Sequence, residues 1–237
     1  MIFRLIELKI LEPLLFFLKF FFKTEQEYFK MLMSLRYVNR KIFAVPLTSN
    51  HIAQYKKFNY FKKMIRKDKV LEIGCGNLGL GYHLIKYLNK NNYCGVDINK
   101  YVIKNSIKLI NSNPNIKKKK PKIHLVHNIK KVNSLAENYN SNVFVFSSVF
   151  THMSKNKILE YLRMIKNLKN NKTLILADFS ISKFKHSYNV RRINYYYSIT
   201  DVKKILSIFD NTYKIKSYKI NSTSKNYESY LFVIKRI

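Results

Sequence analysis

The chain has 237 residues, 47% of them apolar and 15% aromatic. That is enough for one sizeable core with an appendage, too little for two full domains with linkers, and too aromatic for general disorder. There are 45 Lys and Arg against 13 Asp and Glu, a formal charge of +32, and only two cysteines, Cys75 and Cys94, with no CxxC or Cys/His cluster. This disfavours a disulfide scaffold and a zinc module, indicates no metal site, and suits a reducing cytoplasm.

An anionic partner would explain the charge. So would AT-rich codon usage, which enriches Lys, Asn, Ile, Tyr and Phe and leaves 5 Gly, 4 Pro and no Trp. The basic residues run through the whole chain and cluster only at Lys117 to Lys120. Codon bias is therefore favoured over a dedicated nucleic-acid surface. In so glycine-poor a chain, all five glycines fall between positions 74 and 95. Glycine is retained where φ is positive or where the backbone must approach a ligand.

Residues 1–23 are strongly apolar, but Arg4, Glu7, Lys9, Glu12 and Lys19 interrupt them too often for a membrane span. On a helix, Lys9, Glu12, Lys19 and Lys23 share one face, which predicts an amphipathic helix docked on the main domain, a partner subunit or a membrane surface. Thr24 and Glu27 have the spacing of a capping box that opens a second helix to about Val38. Residues 1–48 are thus expected to form an N-terminal helical extension, and 49–237 the main domain.

That domain opens with a helix capped by Ser49 or Asn50 and running to about Arg66. Val70–Ile73 is a short strand, Leu78–Leu88 a helix, Tyr93–Ile98 a strand and Lys100–Leu109 a helix. Strands follow at Ile123–Val126 and Val143–Phe146, then a helix at Lys155–Leu168 capped by Ser154, with Ile158, Leu162 and Ile165 inward. Thr173–Ala177 is a strand, Thr200 and Asp201 open a helix to about Phe209, and Tyr213–Ile220 and Tyr230–Ile234 close the chain. The alternation predicts an α/β fold, a mostly parallel sheet with helices on both faces.

In such a sheet, Leu71-Glu72-Ile73-Gly74-Cys75-Gly76-Asn77-Leu78-Gly79 places a glycine turn at a strand's C-terminal end and at the start of a helix, where ligands bind. Asp97 ends the next strand, where a carboxylate can take both hydroxyls of a ribose. The letters also fit GxGxxG, so a dinucleotide must be weighed. Glu72, inside the first strand, is unhelpful beside a pyrophosphate and suits a ligand with a cationic amino-acid portion.

LEIGCGNLGLG, YCGVDIN and VFVFSSVFTHMSKNKILEYLRMIKNLKNNKTLILADF together resemble the class I S-adenosylmethionine-dependent methyltransferases, over about residues 50–237. The resemblance implies a Rossmann-like seven-stranded sheet whose last strand inserts antiparallel, with S-adenosylmethionine as cofactor. It implies that Gly74 and Gly76 line the methionine part with Glu72 beneath, that Asp97 binds the ribose and Ile98 packs on adenine, that Asn128 meets the adenine amino group, and that Ser147 lies near the methionine end. Glu72 stands where Asp is commoner, and Asn170-Asn171 where a Pro-Gly-Gly turn is usual. A β-branched side chain at position 74 is expected to fill cofactor space.

Candidate bases at the strand ends are His152 and Asp178. The plainer readings, which are favoured, are a helix-entry residue bonded to backbone for His152 and a loop cap or the partner of a lysine for Asp178. His51, Gln54 and Tyr55, on the preceding helix, are read as packing residues. There is no Asp/Asn-Pro-Pro-Tyr/Phe motif, no Pro-Cys nucleophile and no evident RNA-binding module. The expected acceptor is therefore a small molecule, glycan or lipid, selected by residues 180–197 with their Lys, Arg and Tyr. Binding without catalysis is the alternative, and a nicotinamide oxidoreductase a more distant one. The expected setting is the cytoplasm, a peripheral membrane contact being one of the three docking surfaces open to residues 1–23.

Overall fold

Short apolar runs without alternation become strands buried on both faces. In the computed structural model the parallel strands are β1 (Val70–Ile73), β2 (Tyr93–Asp97), β3 (Lys122–Leu125), β4 (Val143–Phe146) and β5 (Leu174–Ser182), of which β3, at the sheet edge, is only partly buried. The structure describes Met31 and residues 51–170, 172–182, 187–189, 194–220 and 227–237. The expected extension over residues 1–48, apart from Met31, lies outside these, as do Asn171 and the basic residues between 183 and 192.

The helices are α1 (His51–Phe61), α2 (Gly81–Tyr87), α3 (Lys100–Ser112), the short α4 (Pro114–Lys117), α5 (Ile129–Tyr139), α6 (Lys155–Lys166) and α7 (Ile199–Leu206). After a small hairpin, β6 (Ser187–Asn189) and β7 (Asn194–Tyr196), and after α7, β8 (Tyr213–Ile220) and β9 (Tyr227–Arg236) complete the sheet. Its order is β3-β2-β1-β4-β5-β9-β8. The first five strands are parallel, and β9 runs antiparallel to both neighbours, β5 and β8. This is the seven-stranded, mostly parallel sheet with an inserted antiparallel last strand that the resemblance implies.

Side chains alternate between two cores. Leu71, Ile73, Phe144 and Phe146 join α5, α6 and α7 on one face. Val70, Val143 and Val145 join α1, α2 and α3 on the other. The strand period places Glu72 on this second face, under α2.

Several boundaries differ from expectation. Helix α2 starts at Gly81, not Leu78, because Leu78 takes φ 61°. Helix α5 is unanticipated: Val132, Ala136 and Tyr139 bury one side of it. Strand β5 continues to Ser182 because β9 pairs with it along its whole length. Ser198, not Thr200, caps α7, in a capping box with Asp201. The Lys117–Lys120 run folds back on the domain: Lys119 Nζ donates to Leu88 O at 2.6 Å, and Lys119 O accepts the Asn91 amide at 2.9 Å. Among the described residues no helix is long and apolar enough to cross a membrane.

Candidate cofactor and active site

Parallel strands put their C-terminal ends on one edge, and the strand order fixes which residues meet there. From β3 to β5 that edge carries Asn128, then Asp97 and Ile98, then Gly74 and Gly76, then Ser147, then Asp178. The fold thus brings residues spread over a hundred positions into one row.

The glycine turn is tied to β2. Val96 O accepts the amides of Gly74 at 2.8 Å and Cys75 at 3.0 Å. Gly74 has φ +73° and Gly76 +53°, the left-handed region that glycine enters at least cost. Asp97 Oδ2 accepts the Gly76 amide at 3.0 Å, and Oδ1 accepts the Asn99 amide at 2.9 Å. The carboxylate is therefore oriented by backbone before any ligand arrives. Burial pushes its pKa up, and the amides of Asn99, Gly76 and Ile98 oppose that shift. Ser106, on α3, donates to Gly76 O at 2.8 Å and fixes the far side of the turn.

Glu72 lies beneath the turn and is buried, its Oε2 accepting the Tyr93 hydroxyl at 2.5 Å. Burial raises its pKa from 4.5 to about 8, against the Tyr93 hydrogen bond and the Lys57 charge, which lower it. At neutral pH Glu72 is accordingly mostly protonated. Ile98 is half-buried beside Asp97. Asn128 is exposed and caps α5, its Oδ1 accepting the Lys131 amide at 2.9 Å. An amide oxygen has two lone pairs, so one remains for a ligand.

A Cβ on Gly74 would meet Val149 Cγ2 at 2.5 Å, so a side chain there strikes protein as well as any ligand along the turn. Gly76 has open space beside it, nothing lying within 4 Å of its Cβ position.

At the end of β4 the chain turns through Ser148 at φ +59°, a region costly for a residue with a side chain. Three bonds hold it there. Asp178 Oδ1 accepts the Ser148 amide at 2.7 Å, Thr151 Oγ1 donates to Ser148 O at 3.0 Å, and Lys57 Nζ donates to Ser148 Oγ at 2.7 Å. Lys57 also donates to Asp178 Oδ2 at 3.0 Å and to Ser147 Oγ at 3.3 Å. The ion pair is well buried, with side-chain exposures of 11% for Lys57 and 8% for Asp178. Asp178 is thus the partner of a lysine and caps the turn after β4, and each of its oxygens keeps a lone pair.

Lys57 escaped the sequence reading because nothing distinguishes one lysine among 45 basic residues. Gln54, read there as packing, accepts the Ser147 hydroxyl at 3.4 Å. Tyr55 is half-exposed and its ring lies 5.2 Å from that of His83. His152 ends a 3₁₀ turn, Phe150–His152; its amide donates to Val149 O at 2.9 Å and its side chain is half-buried.

A family model described as a methyltransferase domain matches residues 66–231. The chain belongs to that family. Its cofactor is S-adenosylmethionine, and it is an S-adenosylmethionine-dependent methyltransferase. The residues present fit that cofactor: the space at Gly76 is open, and the Asp97 carboxylate is held ready at its side. Among solved structures, magnesium protoporphyrin IX methyltransferase from Synechocystis PCC 6803 with bound S-adenosylmethionine is similar, at TM-score 0.63 and 15% identity, over 90% of this chain and 95% of that one. An O-methyltransferase from Bacillus cereus is similar at TM-score 0.57 and 10% identity, over 86% and 91% of the two chains. The small RNA methyltransferase HEN1 is similar at TM-score 0.60 and 14% identity, over 77% of this chain and 25% of that one. These likenesses concern the fold. No curated protein sequence matches.

Proposed function

We propose that the chain transfers a methyl group to oxygen or nitrogen of a small-molecule, glycan or lipid acceptor. The observation that carries the cofactor half of this reading is Asp97, whose two oxygens are aligned by the Gly76 and Asn99 amides beside the open face of the glycine turn. In this reading Asp97 takes the ribose hydroxyls, Ile98 covers one face of the adenine, and Asn128 accepts from its amino group. Gly74 and Gly76 pass along the amino-acid end above Glu72, and Ser147 borders it.

S-Adenosylmethionine supplies an electrophilic methyl on a sulfonium. The chain's own task is then alignment and exclusion of water. A hydroxyl acceptor needs a base, and the candidates at this edge are His152 and Asp178, the latter held by Lys57 and the Ser148 amide. The acceptor half rests on the sequence, which lacks the motifs of base methylation and carries a basic, tyrosine-rich stretch at residues 180–197. The setting in this reading is the cytoplasm, and the amphipathic pattern of residues 1–23 suits docking on the main domain, a partner subunit or a membrane surface.

Calorimetry with S-adenosylmethionine, S-adenosylhomocysteine and NAD tests the cofactor half. Asp97→Ala is expected to weaken binding of the first two by about 2–3 kcal/mol, the scale of charge-assisted bonds with partners left unpaired. Unchanged affinity in a folded variant removes Asp97 from the site. For the acceptor half, radiolabelled methyl should enter the lipid, glycan or small-molecule fraction of a cell extract. Label confined to RNA or protein overturns it.

A further inference from the structure

We propose that Lys57 recognises the carboxylate of the cofactor's amino-acid end. The inference rests on the S-adenosylmethionine reading and extends it to a residue on α1, outside the span that the family model covers.

Position is the first argument. The β1–β4 register pairs Glu72 with Val145, so Ser147 emerges at the level of Gly74. Val149 stands directly over Gly74. The segment from Ser147 to Val149 therefore lies against the glycine turn, and the Lys57 ammonium, 3.3 Å from Ser147 Oγ and 2.7 Å from Ser148 Oγ, stands beside it. Its charge is felt at Glu72 beneath the turn. The amino-acid end of the cofactor is a zwitterion, and this corner offers a fixed cation for its negative half.

Availability is the second argument. An ammonium has three N–H groups, here directed at Ser148, Asp178 and Ser147. The bond to Ser147 is the longest of the three, and the Ser147 hydroxyl keeps Gln54 Oε1 as its own acceptor. That N–H can pass to an incoming carboxylate while Asp178 and Ser148 hold the nitrogen in place. Glu72 does not compete, because burial keeps it mostly protonated near neutrality. At 11% exposure the Lys57 side chain is dry enough for a charge pair to matter.

The competing role is purely structural: Lys57 would only fasten α1 to the ends of β4 and β5. Ligand chemistry separates the two. Calorimetry on the full chain would compare S-adenosylmethionine with decarboxylated S-adenosylmethionine, which keeps the adenosine, sulfonium and amine. Wild type is expected to prefer the carboxylate form by about tenfold or more, as for one hydrogen bond between charged groups. Lys57→Met should erase that preference while holding the decarboxylated ligand within about threefold of wild type. Lys57→Arg should retain part of it. If Lys57→Met fails to fold, Lys57→Gln, which keeps a donor toward Ser148, must show the same lost preference. Equal weakening of both ligands, or a preference that survives in the neutral variants, overturns the assignment. So does a wild type that binds both ligands equally. A wild type that binds neither brings down the cofactor reading itself.

Discussion

Tyr93 donates its hydroxyl to Glu72 Oε2 at 2.5 Å, and this pair occupies the place where a side chain on Gly81 would go. A Cβ at Gly81 would collide with the Tyr93 hydroxyl and lie 2.8 Å from Glu72 Oε2. One at Gly95 would come within 3.0 Å of both Tyr93 and Cys75. The buried acid and its phenol partner thus account for two glycines that no ligand needs to approach.

Gly81→Ala is therefore expected to destabilise the fold by about 1–3 kcal/mol, the range for overpacking a tight interior. Tyr93→Phe removes the oxygen that the new methyl would strike. In a double-mutant cycle read by urea unfolding, Gly81→Ala should cost at least about 1 kcal/mol less when combined with Tyr93→Phe than it does alone. Strict additivity would mean that the contact is not what excludes a side chain at Gly81.

The proton on Glu72 gives a pH dependence whose sign follows from the shift. In the unfolded chain this carboxyl titrates near 4.5, and in the native protein near 8. Between those values the folded state holds a proton that the unfolded state releases, so stability is full below 4.5 and falls as pH rises to 8. The slope reaches about 1.4 kcal/mol per pH unit at most. Glu72→Gln, neutral at every pH, should lose this slope. A urea-midpoint profile over that window, identical in variant and wild type, would show that Glu72 ionises normally.

The two glycines of the turn should respond differently. Gly74→Val drives a branched side chain into Val149, so loss of binding should come with a lowered melting temperature. Gly76→Ala points into open space and meets only the left-handed backbone penalty, about 1–2 kcal/mol. It should remain folded while its affinity for S-adenosylhomocysteine drops at least about tenfold, the methyl standing where the ligand must pass. A Gly76→Ala protein that binds normally would place the cofactor elsewhere.

Asp178→Ala strands the Lys57 ammonium in a buried corner and releases the Ser148 amide. Breaking a buried pair from one side costs about 3–5 kcal/mol. Removing both charges, as Asp178→Ala with Lys57→Met, should recover part of that loss in thermal unfolding. Were the single variant as stable as wild type, the pair would contribute nothing to holding α1.

Much of this architecture was legible because its signals are local. Strands β1, β2 and β4 announce themselves as short, mostly apolar runs, and a glycine cluster stands out in a chain with five glycines. Helix α5 was missed although Ile129, Val132, Ala136 and Tyr139 keep helical spacing, because Asn and Lys dilute the pattern between them. Asp178 was legible as an acid at a strand end, but its role depended on a partner 121 residues away that looks like every other lysine. The Glu72–Tyr93 pair was hidden for a related reason: parallel pairing of β1 with β2 alone brings those two side chains together.

Strand β9 is last in the chain but interior in the sheet, between β5 and β8. A ribosome that has released everything through Ile220 has therefore exposed β5 with one edge open, its residues 174–179 apolar apart from Asp178. An unpaired apolar edge is a template for association between chains. Closure of this half of the sheet must wait until residues 227–236 emerge, which makes the interval before their release the point in synthesis at which a chaperone would matter most.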